Sequence, residues 1–133
     1  MSPGSIPEDV DRFLARHVDT IEHLEVLLLI YRSPSEAWTA DAVARALYSQ
    51  PTSAARRLAL LREQGLAKES TEHTDPRAYS YGPATPELDA TVRRLAETYR
   101  ERRVAVITAI ASRPMENVRA FSDAFRLRKP AEE

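Results

Sequence analysis

The sequence predicts a mainly α-helical fold with one small β-hairpin, in the order four helices, hairpin, one long helix and a last helix. Three observations carry this. Apolar residues recur at three- and four-residue spacing from Ile21 onward. Proline and glycine punctuate the pattern where helices start and stop, at Pro51, Gly65 and Pro86. Two short stretches flanking Asp75-Pro76 have the turn chemistry of a hairpin. With 133 residues the chain makes one core, divided by its pattern into residues 1–20, 21–84 and 85–133.

Composition narrows the function classes. Hydrophobic residues make up 43% and charged residues 29%, near globular averages. Nineteen Lys and Arg against 20 Asp and Glu give a net charge of −1, which excludes a strongly cationic nucleic-acid sponge. The charge is uneven: residues 1–50 hold four Arg and eight acids, so a surface for a polyanion belongs after residue 50. Without Cys there is no disulfide framework and no thiolate metal site. The longest apolar run, residues 26–31, falls far short of the roughly 20 residues that span a bilayer. Residues 1–13 lack the basic and apolar blocks of a secretory signal, so a cytoplasmic protein with no membrane association is expected.

Taken in order, residues 7–17 open with Pro7 and the acids Glu8, Asp9 and Asp11, which suit the positive end of a helix. Residues 20–32 follow Asp19 as N-cap and are apolar on nearly every side, which makes this helix central to the core. Ser33-Pro34-Ser35 ends it, Ala37 and Trp38 are extended, and Thr39 caps a helix over residues 40–48. Trp38 reads as a core plug rather than a ligand platform. The next helix begins at Pro51 and stops at Gly65, suited to a left-handed C-cap. Strands at 66–70 and 78–81 then surround a long polar tip, residues 71–77. Residues 86–112 read as one helix, interrupted in its apolar spacing only at Arg102 and about 40 Å long. Ser112-Arg113-Pro114 breaks it before an amphipathic helix over residues 115–128.

Residues 39–82 are the most informative. Val43, Ala44 and Leu47, then Ala54, Leu58 and Leu61, describe two helices joined by a short polar turn and followed by the hairpin: a helix-turn-helix with a hairpin behind it. Small Ala44, the QPTSAARRL turn-to-helix passage, REQGL at the helix exit and Asp75-x-Arg77 in the hairpin resemble the winged helix-turn-helix regulators, most of all the MarR group. The resemblance spans about residues 21–101 and implies a transcriptional regulator that binds double-stranded DNA as a homodimer. The second helix of such a pair fits the major groove, and its first turn can grip a phosphate. Gln50, Thr52 and Ser53 stand at that start, with Arg56 and Arg57 one turn on. Because Leu58 and Leu61 face inward, Arg56 is the expected base reader and Arg57 the expected phosphate contact. Lys68, His73 and Arg77 on the hairpin are expected to reach the flanking backbone or minor groove.

The terminal helices carry the dimer expectation. Residues 104–111 are apolar around nearly the whole circumference and need cover, as do the apolar faces near both ends. Phe13, Leu95, Tyr99, Val106, Ile107, Ile110, Phe121 and Phe125 are the expected dimerisation residues. The resemblance also allows a small aromatic effector between these helices and the winged domain. The arginines of the long helix are interleaved with Glu97 and Glu101 and are expected to pair within it. The rival reading is a winged helix used as a protein-interaction module, an adaptor of another regulator or of polymerase. No enzyme is expected: His17 and His23 are six apart, and no GxSxG, phosphate-cradling glycine loop or HExxH is present. Neither a cofactor nor a metal is expected.

Overall fold

A computed structural model describes residues 6–74 and 76–112, the side chains of residues 72–74 excepted. Helix α1 spans Glu8–His17 and α2 spans Ile21–Arg32. The N-cap of α2 is Thr20, not Asp19: the Thr20 hydroxyl accepts from the His23 N–H at 3.1 Å. Asp19 is engaged elsewhere, with Arg57 of a later helix. As expected, α2 is the central element; Leu24, Val26, Leu27, Leu28 and Ile30 are all essentially inaccessible.

Strand β1 (Trp38–Thr39) leads into α3 (Ala40–Leu47), which Thr39 caps by accepting from the Ala42 N–H at 3.1 Å. Helix α4 spans Pro51–Glu63 and buries Ala54, Leu58 and Leu61. Gly65 follows in the left-handed region at φ +78°, where a Cβ would also meet the Ala84 Cβ at 3.2 Å.

The hairpin consists of β2 (Ala67–Thr74) and β3 (Arg77–Tyr81), and β1 adds to it in the antiparallel order β1-β3-β2. The expected long tip is instead largely strand: Glu69 pairs with Tyr79 and Thr74 with Arg77, with a register shift between them. Polar Thr71 and Glu72 lie within β2 between these paired positions, where the irregularity absorbs the mismatch in length between the two strands. On β3, Tyr79 and Tyr81 are buried; the Tyr81 ring meets Tyr31 edge-on, and its hydroxyl donates to Asp89 Oδ1 at 2.7 Å. Burial first, then this bond, pushes the Tyr81 phenol well above its ordinary pKa.

The long helix expected over residues 86–112 is two: α5 (Pro86–Glu101) and α6 (Arg103–Ala111), separated at Arg102, whose φ −134° and ψ 56° leave the helical region. The reason is packing. The break lets α6 meet α1, α2 and α5, and so removes Val106 and Ile110 from water within one chain. Phe13, Leu95, Tyr99, Val106 and Ile110, expected at a dimer interface, are all buried among elements of their own chain. Ile107 is half-buried against the same core, while Phe121 and Phe125 lie outside the described residues. A single hydrophobic core thus runs through all three sequence segments, from Val10 and Phe13 to Val106 and Ile110.

The arginines of α5 follow the expected pairing within the helix only in part. Arg93 pairs with Asp89 one turn away at 2.9 Å, but Arg94 reaches α1 and bonds Asp9 at 2.6 Å.

Candidate nucleic-acid interface

Helix α4 is gripped along one stripe. Ser53, Arg57, Leu60 and Gln64 recur at four, three and four residues, which stacks them on one face. Three of the four make polar contacts with the corner between α1 and α2. The Ser53 hydroxyl donates to Glu22 Oε1 at 2.6 Å. Arg57 donates to Asp19 Oδ1 at 2.8 Å and stands 3.7 Å from Glu22 Oε1. The Gln64 amide donates to the His17 carbonyl at 2.9 Å, and its Oε1 stands 2.9 Å from His23 Nε2. This fixes the tautomer: Nε2 carries the proton, and Nδ1 is a bare, buried nitrogen without a hydrogen-bond partner among the described residues.

Ser53 and Arg57 are therefore tied inward. The Arg57 side chain is only 15% exposed, and its charge is answered by two carboxylates of its own chain. A phosphate would have to displace them. The opposite face of α4 carries Thr52, Ala55 and Arg56, all exposed, with Ala59 half-buried beside them. Arg56 has no partner among the described residues. Gln50 is exposed at the N-cap and leaves the first turn without a side-chain cap. The structure thus brings Gln50, Thr52 and Arg56 to one accessible surface and withdraws Ser53 and Arg57 from it.

The hairpin is fastened to α4 by Glu69 of β2, which lies 3.5 Å from Arg62 of α4 and 3.6 Å from Arg77 of β3. Arg77 remains exposed, as does Lys68, opposite Ser80 in the ladder. The side chain of His73 lies outside the described residues. Between α4 and the hairpin runs a cleft of about 300 Å³, lined by Thr39, Asp41, Ala55, Ala59, Pro76, Arg77 and Tyr79 among others. The alanines keep this side of α4 low, so a bulky polymer can approach the helix closely.

A second cleft, of about 460 Å³, lies where α2, α5 and α6 meet. Arg32, Arg93, Arg100 and Arg103 line it with Tyr31, Tyr99 and the single acid Glu97. Arg103 stands over the Tyr99 ring at 5.4 Å, and the buried Tyr99 hydroxyl has no hydrogen-bond partner among the described residues. Among the described residues no group of three or more His, Asp or Glu is placed to hold a metal ion, and no helix is long and apolar enough to cross a membrane.

Sequence reasoning missed the stripe of Ser53, Arg57 and Gln64 and the exposure of Tyr48 in the turn before α4. A signal for the first was present. At roughly 100° per residue, Arg57 lies well toward the buried face set by Ala54, Leu58 and Leu61, whereas Arg56 lies nearly opposite it.

The polar grip has a pH consequence. Burial chiefly lowers the His23 pKa below 6.5, aided by Arg57 and His17 and opposed by the Gln64 bond and Asp19; burial lowers His17 likewise. Below about pH 6.5 the unfolded chain takes up protons that the folded chain refuses. Stability is therefore full above that pH and falls as pH drops toward the folded-state values. Urea unfolding is expected to show a lower midpoint at pH 5.5 than at pH 7.5, and His23→Met should reduce the difference. Equal midpoints at both pH values in the wild type would contradict the buried neutral imidazole.

No family model matches the chain, and no curated protein matches it in sequence. Solved structures do match. A MepR variant of Staphylococcus aureus bound to an oligodeoxyribonucleotide aligns with a TM-score of 0.53 at 16% identity, over 90% of this chain and 86% of that one. ZitR of Lactococcus lactis aligns at 0.50 and 18% identity, over 82% of this chain and 74% of that one. A MarR-family transcriptional regulator of a Rhodococcus species aligns at 0.51 and 15% identity, covering 85% and 82%. At these identities the likeness is one of architecture: among the described residues, six helices around a three-stranded antiparallel sheet, the MarR-like winged helix-turn-helix fold.

Proposed function

We propose that this chain is a DNA-binding transcriptional regulator that works as a homodimer, with α4 in the major groove and the β2–β3 hairpin on the flank. The observation that carries the reading is the two-sidedness of α4. One face is fastened by Ser53, Arg57 and Gln64, and the other presents Thr52, Arg56 and two alanines to solvent beside exposed Lys68 and Arg77. A rigidly held helix with a low, polar outer face is what groove reading needs. In this reading Arg56 reads a base edge, Gln50 and Thr52 hold phosphates at the helix start, and Lys68, His73 and Arg77 meet the flanking backbone. Ser53 and Arg57 are positioning residues. The fold likeness to a MepR structure solved with an oligodeoxyribonucleotide supports this use of the architecture. Selection from a pool of random duplexes should enrich one sequence; enrichment of none would overturn the reading.

Arg57→Ala separates positioning from contact. Losing a mostly buried ion pair and its hydrogen bond is expected to cost about 1–2 kcal/mol of stability. The slope of DNA affinity against salt should stay as in the wild type, because no phosphate contact is lost. A slope flatter by about one charge would return Arg57 to the phosphate role the sequence suggested.

The dimer rests on α6. After folding back, this helix still exposes Val104, at 76%, next to half-buried Ile107. Residues 1–20 and 85–133 are assigned to the two-fold, which would present two copies of α4 to half-sites about one helical turn apart, roughly 34 Å. Val104→Glu is expected to yield monomers that unfold like the wild type by urea, since the side chain has nothing to lose in the core. Sedimentation at micromolar concentration decides it, and a wild type of monomer mass would sink the dimer. A small anionic, aromatic effector would seat in the arginine-lined cleft between α2 and α5.

A further inference from the structure

Among the described residues, Tyr48 is the only non-glycine residue in the left-handed region, at φ 56° and ψ 46°. It closes α3: the backbone N–H of Ser49 reaches the Ala44 carbonyl at 2.9 Å, a helix end for which glycine is the unstrained choice. A tyrosine here carries a cost that a smaller residue would not. Packing does not offset it, because Tyr48 is 96% exposed. The chain's other tyrosines behave differently: Tyr79, Tyr81 and Tyr99 are buried, and Tyr31 is half-buried against the core. Nothing among the described residues accounts for an aromatic ring at position 48.

Its place does. The ring stands three residues before Pro51, at the end of α4 that also presents Gln50 and Thr52. These neighbours are polar, and Val104, the other large apolar residue exposed among those described, lies on α6. A lone phenol among hydrogen-bonding side chains suits a sugar-phosphate chain better than an apolar protein surface: the ring face covers a deoxyribose, and the hydroxyl donates to a phosphate oxygen. We infer that Tyr48 is a DNA-backbone contact that sets the depth and register of α4 in the groove. The inference rests on the DNA-binding reading above and adds a residue to it.

Being uncharged, Tyr48 releases no counterion, and touching no base, it does not discriminate sequence. Tyr48→Gly is expected to weaken binding to a selected duplex and to a scrambled one alike, by about tenfold, with the salt slope unchanged. Its Tm should stay within about 2 °C of the wild type or rise, as relief of the left-handed strain offsets the greater freedom of glycine in the unfolded chain. Tyr48→Phe, which keeps the ring, should lose about threefold. Wild-type affinity in Tyr48→Gly would overturn the inference, and so would a Tm lowered by much more than this, which would make the ring a structural element. Arg56→Ala, run in parallel, separates the two levels. If the wild type binds no duplex, the DNA reading itself fails. If Arg56→Ala loses discrimination while Tyr48→Gly binds normally, only the role of Tyr48 fails.

Discussion

Leu58→Ala is expected to lower the unfolding free energy by about 2–5 kcal/mol, a large share of the roughly 5–15 kcal/mol typical of a domain. Leu58 is fully buried on the inner face of α4, between Ala54 and Leu61 and across from α2 and α3, so its loss leaves a cavity that fixed neighbours cannot fill. Urea titration should show the midpoint moving with little change in slope. Because the proposed DNA surface lies on α4, affinity should also fall at temperatures where the variant begins to unfold, and recover on cooling. A loss below about 1 kcal/mol would mean that α4 is not docked through this face.

Arg56→Ala is expected to remove about 1–3 kcal/mol of discrimination between a selected duplex and a scrambled one, the worth of one bidentate guanidinium–base contact. The side chain is exposed and unpaired among the described residues, so its removal should leave thermal stability within about 0.5 kcal/mol of the wild type. The contrast with Arg57 is the informative part: adjacent arginines, one spent on DNA and one on Asp19 and Glu22, should separate cleanly in stability and in specificity. Equal losses on both duplexes would reassign Arg56 to a phosphate.

What the sequence showed depended on whether the cause was local. Pro51 and Gly65 mark the ends of α4 because their backbone preferences act whatever surrounds them. Thr39 as a cap and Trp38 at the edge of an extended pair were legible for the same reason. The break at Arg102 showed only as an interruption of the apolar spacing: helical periodicity resumes on both sides, and the capture of α6 by α1 and α2 makes a bend there favourable. The same capture turned Phe13, Leu95, Tyr99, Val106 and Ile110 from expected interface into core. In the hairpin the apolar ends were visible, whereas the paired polar segment was hidden because a backbone ladder leaves little mark on side-chain composition.

At the site, Gln50, Thr52, Arg56, Lys68 and Arg77 stand exposed where the helix-turn-helix pattern put them. The inward contacts of Ser53 and Arg57 were hidden because their partners, Glu22 and Asp19, lie more than thirty residues earlier and meet them only through the packing of α2 on α4. Tyr48 escaped notice because neither its backbone conformation nor its exposure has a sequence signature; a tyrosine after an amphipathic helix reads as its last apolar residue.

The most direct measurement is the affinity of the purified wild-type protein for duplex DNA, titrated at a series of salt concentrations. If two copies of α4 and its hairpin sit on the duplex, Lys68 and Arg77 of each protomer lie against or near phosphates, while Arg56 meets a base edge. The logarithm of affinity should then fall linearly with the logarithm of salt, with a slope of about −3 to −4 for the roughly four phosphates neutralised. No measurable binding at low salt, or a slope near zero, would contradict the account.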